Sequence, residues 1–255
     1  MVDLSMRLTA LANQVPVGSR IVDVGTDHAL LPISLVEAGK VSRAIATDVA
    51  QGPFQAAVAN VRKHRLAEEI SVRIGDGLAS VQPGEVDVVL IAGMGGSLAV
   101  QILSQTPAVT ATLRRVVIQP MNAVELVRIF LREQGFELVD EQVVFEDGRF
   151  YEILTAVSRE EAGETEVDVY APFTKTPSDL ELAFYLGPLN LQRPTPTFVQ
   201  HAEHQLVRWQ AISASVQQGR SEESKVKLDT LQARIQALTL WLAESQSKVG
   251  MPGDR

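Results

Sequence analysis

The sequence predicts an α/β protein: a doubly wound, mostly parallel seven-stranded sheet followed by an antiparallel helical hairpin. Three observations predict it. Short β-branched runs alternate with helix-like segments as far as Gln134. Two further apolar runs then flank Asp147-Gly148, a strong hairpin signal. Beyond residue 197 the apolar residues recur at helical spacing.

Taken in order, Leu4–Val15 reads as a short amphipathic helix, with Ser5 as its N-cap and Pro16 beyond its end. Leu8, Leu11 and Ala12 face the core, and Arg7 points either to solvent or into a cleft. Arg20–Val24 is the first strand, a run typical of a buried parallel strand. Gly25 permits a sharp turn, and Thr26 or Asp27 is placed to cap a helix over Ala29–Ala38 that Gly39 ends. Arg43–Thr47, Ile70–Ile74, Val86–Ala92 and Arg115–Ile118 are the next four strands. Helices follow at about Gln51–His64, Ser97–Ser104 and Ala123–Gln134. Phe136–Glu146 and Phe150–Val157 close the sheet as a hairpin.

Residues 158–197 are proline-rich and read as a connecting segment with one helix-like piece, Ser178–Leu186. In the tail, Val199, Ala202, Leu206, Trp209 and Val216 keep a helical rhythm, and Leu228, Leu231, Ile235, Leu238 and Leu242 repeat it. Gly219 lies between, and Ser221 with Glu222 and Glu223 can open the second helix. This is the pattern of a coiled-coil hairpin over 198–255, disordered from Ser247. The domain boundaries are therefore 1–157, 158–197 and 198–255.

The composition narrows the function. With no cysteine, disulfides and thiolate zinc are excluded, and the chain suits a reducing cytoplasm. Met1–Thr9 lacks the apolar core of a signal peptide, and no stretch has the length of a membrane span. A net charge of −8 argues against a protein that coats nucleic acid non-specifically, although residues 198–255 are not acidic. The four histidines do not form a metal-binding pattern.

Ligands of doubly wound sheets sit beyond the carboxyl ends of the strands. Here those ends carry Asp23, Gly25, Thr26, Asp27 and His28; then Asp48; then Gly75-Asp76-Gly77; then Gly93-Met94-Gly95-Gly96; then Gln119-Pro120. Each has an ordinary explanation as a turn or a cap, but all of them fall at one end of one sheet. A dinucleotide site needs G-x-G-x-x-G so that backbone amides can approach a pyrophosphate. Gly25 has no second glycine two residues on, and Asp23 and Asp27 flank it. Those carboxylates repel a phosphate and favour a cationic ligand with an amine, which describes S-adenosyl-L-methionine. On this reading Asp23, Gly25, Thr26, Asp48, Asp76, Gly77, Gly93 and Met94 hold the cofactor, Asp48 accepting from ribose hydroxyls and Asp76 from an adenine amino group.

The chain also resembles the bacterial tRNA adenine-22 N1-methyltransferase family, a class I methyltransferase group with a Rossmann-like seven-stranded sheet. The matching pieces are Ser5-Met-Arg-Leu, Asp23-Val-Gly-Thr-Asp-His-Ala, Gly52-Pro-Phe, Gly75-Asp-Gly-Leu, Ile91-Ala-Gly-Met-Gly-Gly, Gln119-Pro and Gly148-Arg-Phe-Tyr-Glu, together with the helical tail. The resemblance implies methyl transfer from S-adenosyl-L-methionine to N1 of an adenine in the tRNA D-arm region. For that reaction the methylated ring becomes cationic, so Asp27 is the candidate catalytic carboxylate, with His28 orienting the base or Asp27, and Arg7, Leu30 and Gln119 are the candidate substrate contacts. Leu30 stands where the family commonly has Tyr, and Met121 where it commonly has Asn. Arg208, Lys225 and Lys227 are the tail's leading phosphate contacts, with Arg220 and Arg234 beside them. Arg62-Lys63-His64-Arg65 and Arg114-Arg115 are secondary patches. The expected partner is tRNA, with no metal, no membrane and a monomer or weak homodimer. A methyltransferase of small molecules and a non-catalytic helix-pairing protein are the alternatives.

Overall fold

The computed structural model describes residues 2–163, 168–217 and 222–249, with side chains omitted at 222–224 and 246–249. The chain forms two compact units, Met1–Val167 and Asp168–Arg255. The first runs α1 (Met6–Asn13), β1 (Ser19–Val24), α2 (Leu30–Glu37), β2 (Val41–Asp48), α3 (Gln51–Lys63), β3 (Ile70–Ile74), β4 (Val88–Met94), α4 (Gly96–Gln105), α5 (Pro107–Thr110), β5 (Arg115–Pro120), α6 (Val124–Glu133), β6 (Phe136–Glu146), β7 (Arg149–Ser158) and α7 (Arg159–Ala162). Its strands make one seven-stranded sheet in the order β3-β2-β1-β4-β5-β7-β6. β7 runs antiparallel to both β5 and β6, and the other pairs are parallel.

Strands buried on both faces need apolar side chains on both. Ile21, Ala44, Ala46, Val88, Leu90, Val117 and Ile153 meet α1, α2 and α3 through Leu11, Leu31, Ile33, Ala57 and Val61. α4 and α6 pack together on the other face. There Arg128 of α6, fully buried, donates from Nε to Glu141 on β6 and from Nη2 to Glu152 on β7, each at 2.7 Å. Those bonds fasten α6 to the hairpin. In the turn, Asp147 (φ 50°) and Gly148 (φ 74°) are both left-handed, the geometry that suits a two-residue hairpin.

Some boundaries differ from expectation. β4 starts at Val88 rather than Val86 because the Asp87 carboxylate holds the Arg20 backbone N–H and guanidinium. It continues to Met94, whose carbonyl accepts from Met121 N–H (2.7 Å), and that pairing also carries β5 to Pro120.

In the second unit a 3-10 turn (Ala171–Phe173) leads to α8 (Pro177–Leu186), α9 (Pro188–Gln192), α10 (Pro196–Val216) and α11 (Glu222–Val249). Phe198, early in α10, meets Trp241, late in α11 (ring centroids 5.5 Å), so the two long helices are antiparallel. Ala202, Trp209, Leu231, Leu238 and Leu242 are buried as the spacing predicts. α8 also packs on α11, so residues 177–186 join the hairpin's core rather than merely leading to it. α11 continues through Val249, past the disorder expected from Ser247, and Gly219, Arg220 and Ser221 lie outside the described residues.

Candidate active site

The sheet order places β1 between β2 and β4. α2 follows β1 and α4 follows β4, so the strand order reverses at β1/β4, and doubly wound sheets bind ligands beyond the carboxyl ends of the strands at such a point. Gly25 (φ 69°) turns the chain there, and its N–H and that of Thr26 both donate to the Thr47 carbonyl at 2.8 and 3.0 Å. The Thr26 hydroxyl donates to Asp23 Oδ2 at 2.5 Å. Burial pushes the Asp23 carboxyl up to about 7, opposed by the Thr26 hydrogen bond and aided by the charge of Asp48.

The chain then passes through two left-handed residues, Asp27 (φ 52°) and Ala29 (φ 55°), before α2 starts at Leu30. Ala29 is the N-cap residue and no side chain caps the helix, which corrects the expectation for Thr26 or Asp27. The Thr26 hydroxyl is committed to Asp23, and the left-handed winding leaves the Asp27 carboxylate exposed, 3.6 Å from His28 Nε2. Asn60 steadies the turn by donating to the His28 carbonyl (3.0 Å).

At the neighbouring strand ends, Asp48 Oδ1 accepts from Ala50 N–H (2.8 Å), Asp76 is exposed, and the Thr47 hydroxyl donates to the Gly77 carbonyl (3.1 Å). A Cβ on Gly77 would stand 2.7 Å from the buried Ile102 side chain, and Gly25 and Gly77 both take the left-handed backbone (φ 69° and 57°) that favours glycine. Gln119 is fully buried. Its Oε1 accepts from Arg7 Nη1 (2.5 Å) and Gly93 N–H (3.2 Å), and its Nε2 donates to the Pro120 carbonyl (3.1 Å). Arg7 is therefore a cleft residue rather than a solvated helix charge. It also lies over the Tyr151 ring, 5.3 Å from the centroid. Ser5 caps α1 by accepting from Leu8 N–H, and Glu146 Oε1 accepts from Met6 N–H (2.6 Å) and Arg7 N–H (3.4 Å), which fixes the helix start that carries Arg7.

This edge suits a cation better than a phosphate. Asp23 holds its charge poorly in its buried site. A family model described as a methyltransferase domain matches residues 4–154. The tRNA (adenine(22)-N(1))-methyltransferase of Bacillus subtilis strain 168 is 34% identical over 236 residues, covering 92% of this chain and 95% of that one. The chain belongs to the tRNA (adenine(22)-N(1))-methyltransferase family. The crystal structure of the B. subtilis M1A22 tRNA methyltransferase TrmK has a TM-score of 0.83 at 32% identity, covering 95% of this chain and 100% of that one. Streptococcus pneumoniae Sp1610 in complex with S-adenosyl-L-methionine has a TM-score of 0.73 at 37% identity, covering 92% and 100%.

For this family member the structure brings Asp23, Gly25, Thr26, Asp48, Gly77, Gly93, Met94, Gln119 and Arg7 to one edge of the sheet. Asp27, His28 and Leu30 lie on the loop and first helical residue that follow β1, with Leu30 half-buried. Met121 is exposed, and its Sδ accepts from Gln119 Nε2 at 3.5 Å. Asn122, one position later, sets its Oδ1 against Gly95, and its carbonyl accepts from Gly96 N–H (3.0 Å). Thr47, Tyr151 and Glu146 were missed by sequence reasoning. Thr47 sits beside Asp48 at a strand end and Tyr151 lies in the Gly148-Arg-Phe-Tyr-Glu piece, both usable signals, whereas Glu146 approaches through long-range pairing alone.

In the second unit Arg208, Lys225 and Lys227 are exposed. Arg234 is not a free cation: it pairs with Glu181 and lies over the Tyr185 ring (3.5 Å) and near Trp209 (5.2 Å). In the first unit His64 pairs with Glu37 (2.7 Å), Arg115 with Glu161 (2.9 Å) and the exposed Arg114 with Glu160 (3.9 Å); Arg62, Lys63 and Arg65 are exposed. Among the described residues no cluster of three or more His, Cys, Asp or Glu could hold a metal ion, and no helix is long and apolar enough to cross a membrane.

Proposed function

We propose that this chain transfers a methyl group from S-adenosyl-L-methionine to N1 of adenine 22 in tRNA, working in the cytoplasm as a monomer or weak homodimer. The observation that carries the reading is likeness over nearly the whole chain to an enzyme named for that reaction, at 34% identity. The cofactor supplies a methyl group on positively charged sulfur. Asp23 and Thr26, with bare backbone at Gly25, Gly77 and Gly93, hold it beside Met94. Asp48 accepts from its ribose and Asp76 from its adenine.

Adenine N1 carries an in-plane lone pair, so no base has to remove a proton before attack. The methylated ring becomes cationic. The exposed Asp27 carboxylate offsets that charge as it develops, and His28 orients Asp27 or the base. Arg7 and Gln119, already bonded to each other, fix the adenine beside Leu30. Arg208, Lys225 and Lys227 contact tRNA phosphates. The test is mass mapping of an unmodified tRNA transcript after incubation with the protein and the cofactor. One methyl group at adenine 22 supports the reading, and an unmethylated transcript refutes it.

A further inference from the structure

Gly148-Arg-Phe-Tyr-Glu is used only in part by the site described so far: Tyr151 lies under Arg7 and Glu152 pairs with Arg128. β7 pairs with β5 as far as Ile118↔Leu154, and residues 149–153 continue past that pair, so the hairpin tip stands beyond the carboxyl end of β5, on the side of Gln119. There Phe145 and Phe150 face each other across the hairpin, with ring centroids 4.7 Å apart and planes tilted by 46°. Phe145 is nevertheless 47% exposed, an unusual place for a phenyl ring that only needed burial. Met6, held to the tip through Glu146, is also exposed, as is Arg149.

We propose that the Phe145–Phe150 pair is a stacking platform for a nucleotide of the tRNA neighbouring the target adenine. This rests on the reaction proposed above. An adenine whose Watson–Crick edge is to be methylated must leave its stack, and its neighbour then loses a stacking partner. An exposed aromatic face replaces that partner whatever the neighbouring base is, because every base has a π-face. Continuity selects the occupant: the tip is bonded through Glu146 to the α1 residues that carry Arg7, and Arg7 is bonded to Gln119. The exposed Asp147 carboxylate and Arg149 guanidinium at the turn offset each other, so what the tip offers a nucleotide is the aromatic face rather than net charge.

The test compares Phe145→Leu with Phe145→Tyr in the full chain. Leu keeps the apolar bulk and removes the π-face, and Tyr keeps both. Affinity for an unmodified tRNA transcript is measured by fluorescence titration, affinity for S-adenosyl-L-methionine by calorimetry. Phe145→Leu weakens tRNA binding by about tenfold or more, Phe145→Tyr restores it to within about twofold, and neither changes cofactor affinity. Equal tRNA affinity in all three proteins overturns the platform. So does a wild-type dimer that Phe145→Leu splits at unchanged tRNA affinity, since the ring then serves a second copy of the chain. A wild-type protein that binds tRNA without methylating it refutes the proposed reaction and the platform with it, whereas equal affinity in all three proteins with methylation intact refutes the platform alone.

Discussion

Two carboxylates four residues apart stand in opposite surroundings. Asp23 is buried, and its carboxyl is pushed up to about 7, chiefly by that burial. A positively charged ligand favours its ionised form, so affinity for S-adenosyl-L-methionine falls as pH drops below about 7, by up to about tenfold per pH unit. Calorimetry between pH 6 and 8 checks this, and a flat profile contradicts it. The same raised value costs stability as pH climbs from the ordinary carboxylate range through about 7, so Asp23→Asn melts at a higher temperature than wild type at pH 8 while losing cofactor affinity. Asp27 is exposed on left-handed backbone, where it supports no packing. Asp27→Ala lowers kcat by about 100-fold or more with little change in cofactor affinity, and single-turnover kinetics beside calorimetry separate the two effects. The position of both at the end of the first strand was legible, because each flanks the glycine that ends a β-branched run. Arg234 was misread: its carboxylate and ring partners lie 25 to 53 positions away, beyond the reach of any local pattern.

Elements were legible where the chain supplies its own signal. β3 keeps the bounds its sequence suggests, and Asp147-Gly148 turns the hairpin as that pair should. Helix starts were less legible, because Ala29 and Ala123 stand at the N-cap positions of α2 and α6 in left-handed conformation, with no capping side chain to read. α5, α7 and α9, at four or five residues, are too short to show a period. The ties between elements were illegible for a different reason. Glu146 and Tyr151 reach Arg7 across about 140 residues, and Arg128 reaches Glu141 and Glu152 only after α6 folds onto the hairpin. Removing that arginine leaves two carboxylates buried together. Arg128→Met therefore destabilises the first unit by about 3–5 kcal/mol in urea unfolding, and replacing both glutamates by apolar residues in the same chain recovers much of the loss.

At the scale of the molecule, a sheet with acidic groups at its carboxyl edge is joined to a helical unit that carries exposed basic residues at Arg208, Lys225 and Lys227. On the function proposed above, the first unit holds the cofactor and the target base and the second adds grip on the polyanion. Removing Asp168–Arg255, a compact unit in its own right, abolishes tRNA binding and spares cofactor binding; unchanged tRNA affinity by filter retention refutes this division. Reversing Arg208, Lys225 and Lys227 to Glu in the intact chain has the same sense and flattens the salt dependence of binding. The most direct measurement of the central claim, that the carboxyl edge is charged for a positively charged methyl donor, is calorimetric titration of the intact chain with S-adenosyl-L-methionine and, separately, with NAD. Saturable binding of the former alone is predicted, and saturable binding of NAD, or heat from neither, would contradict it.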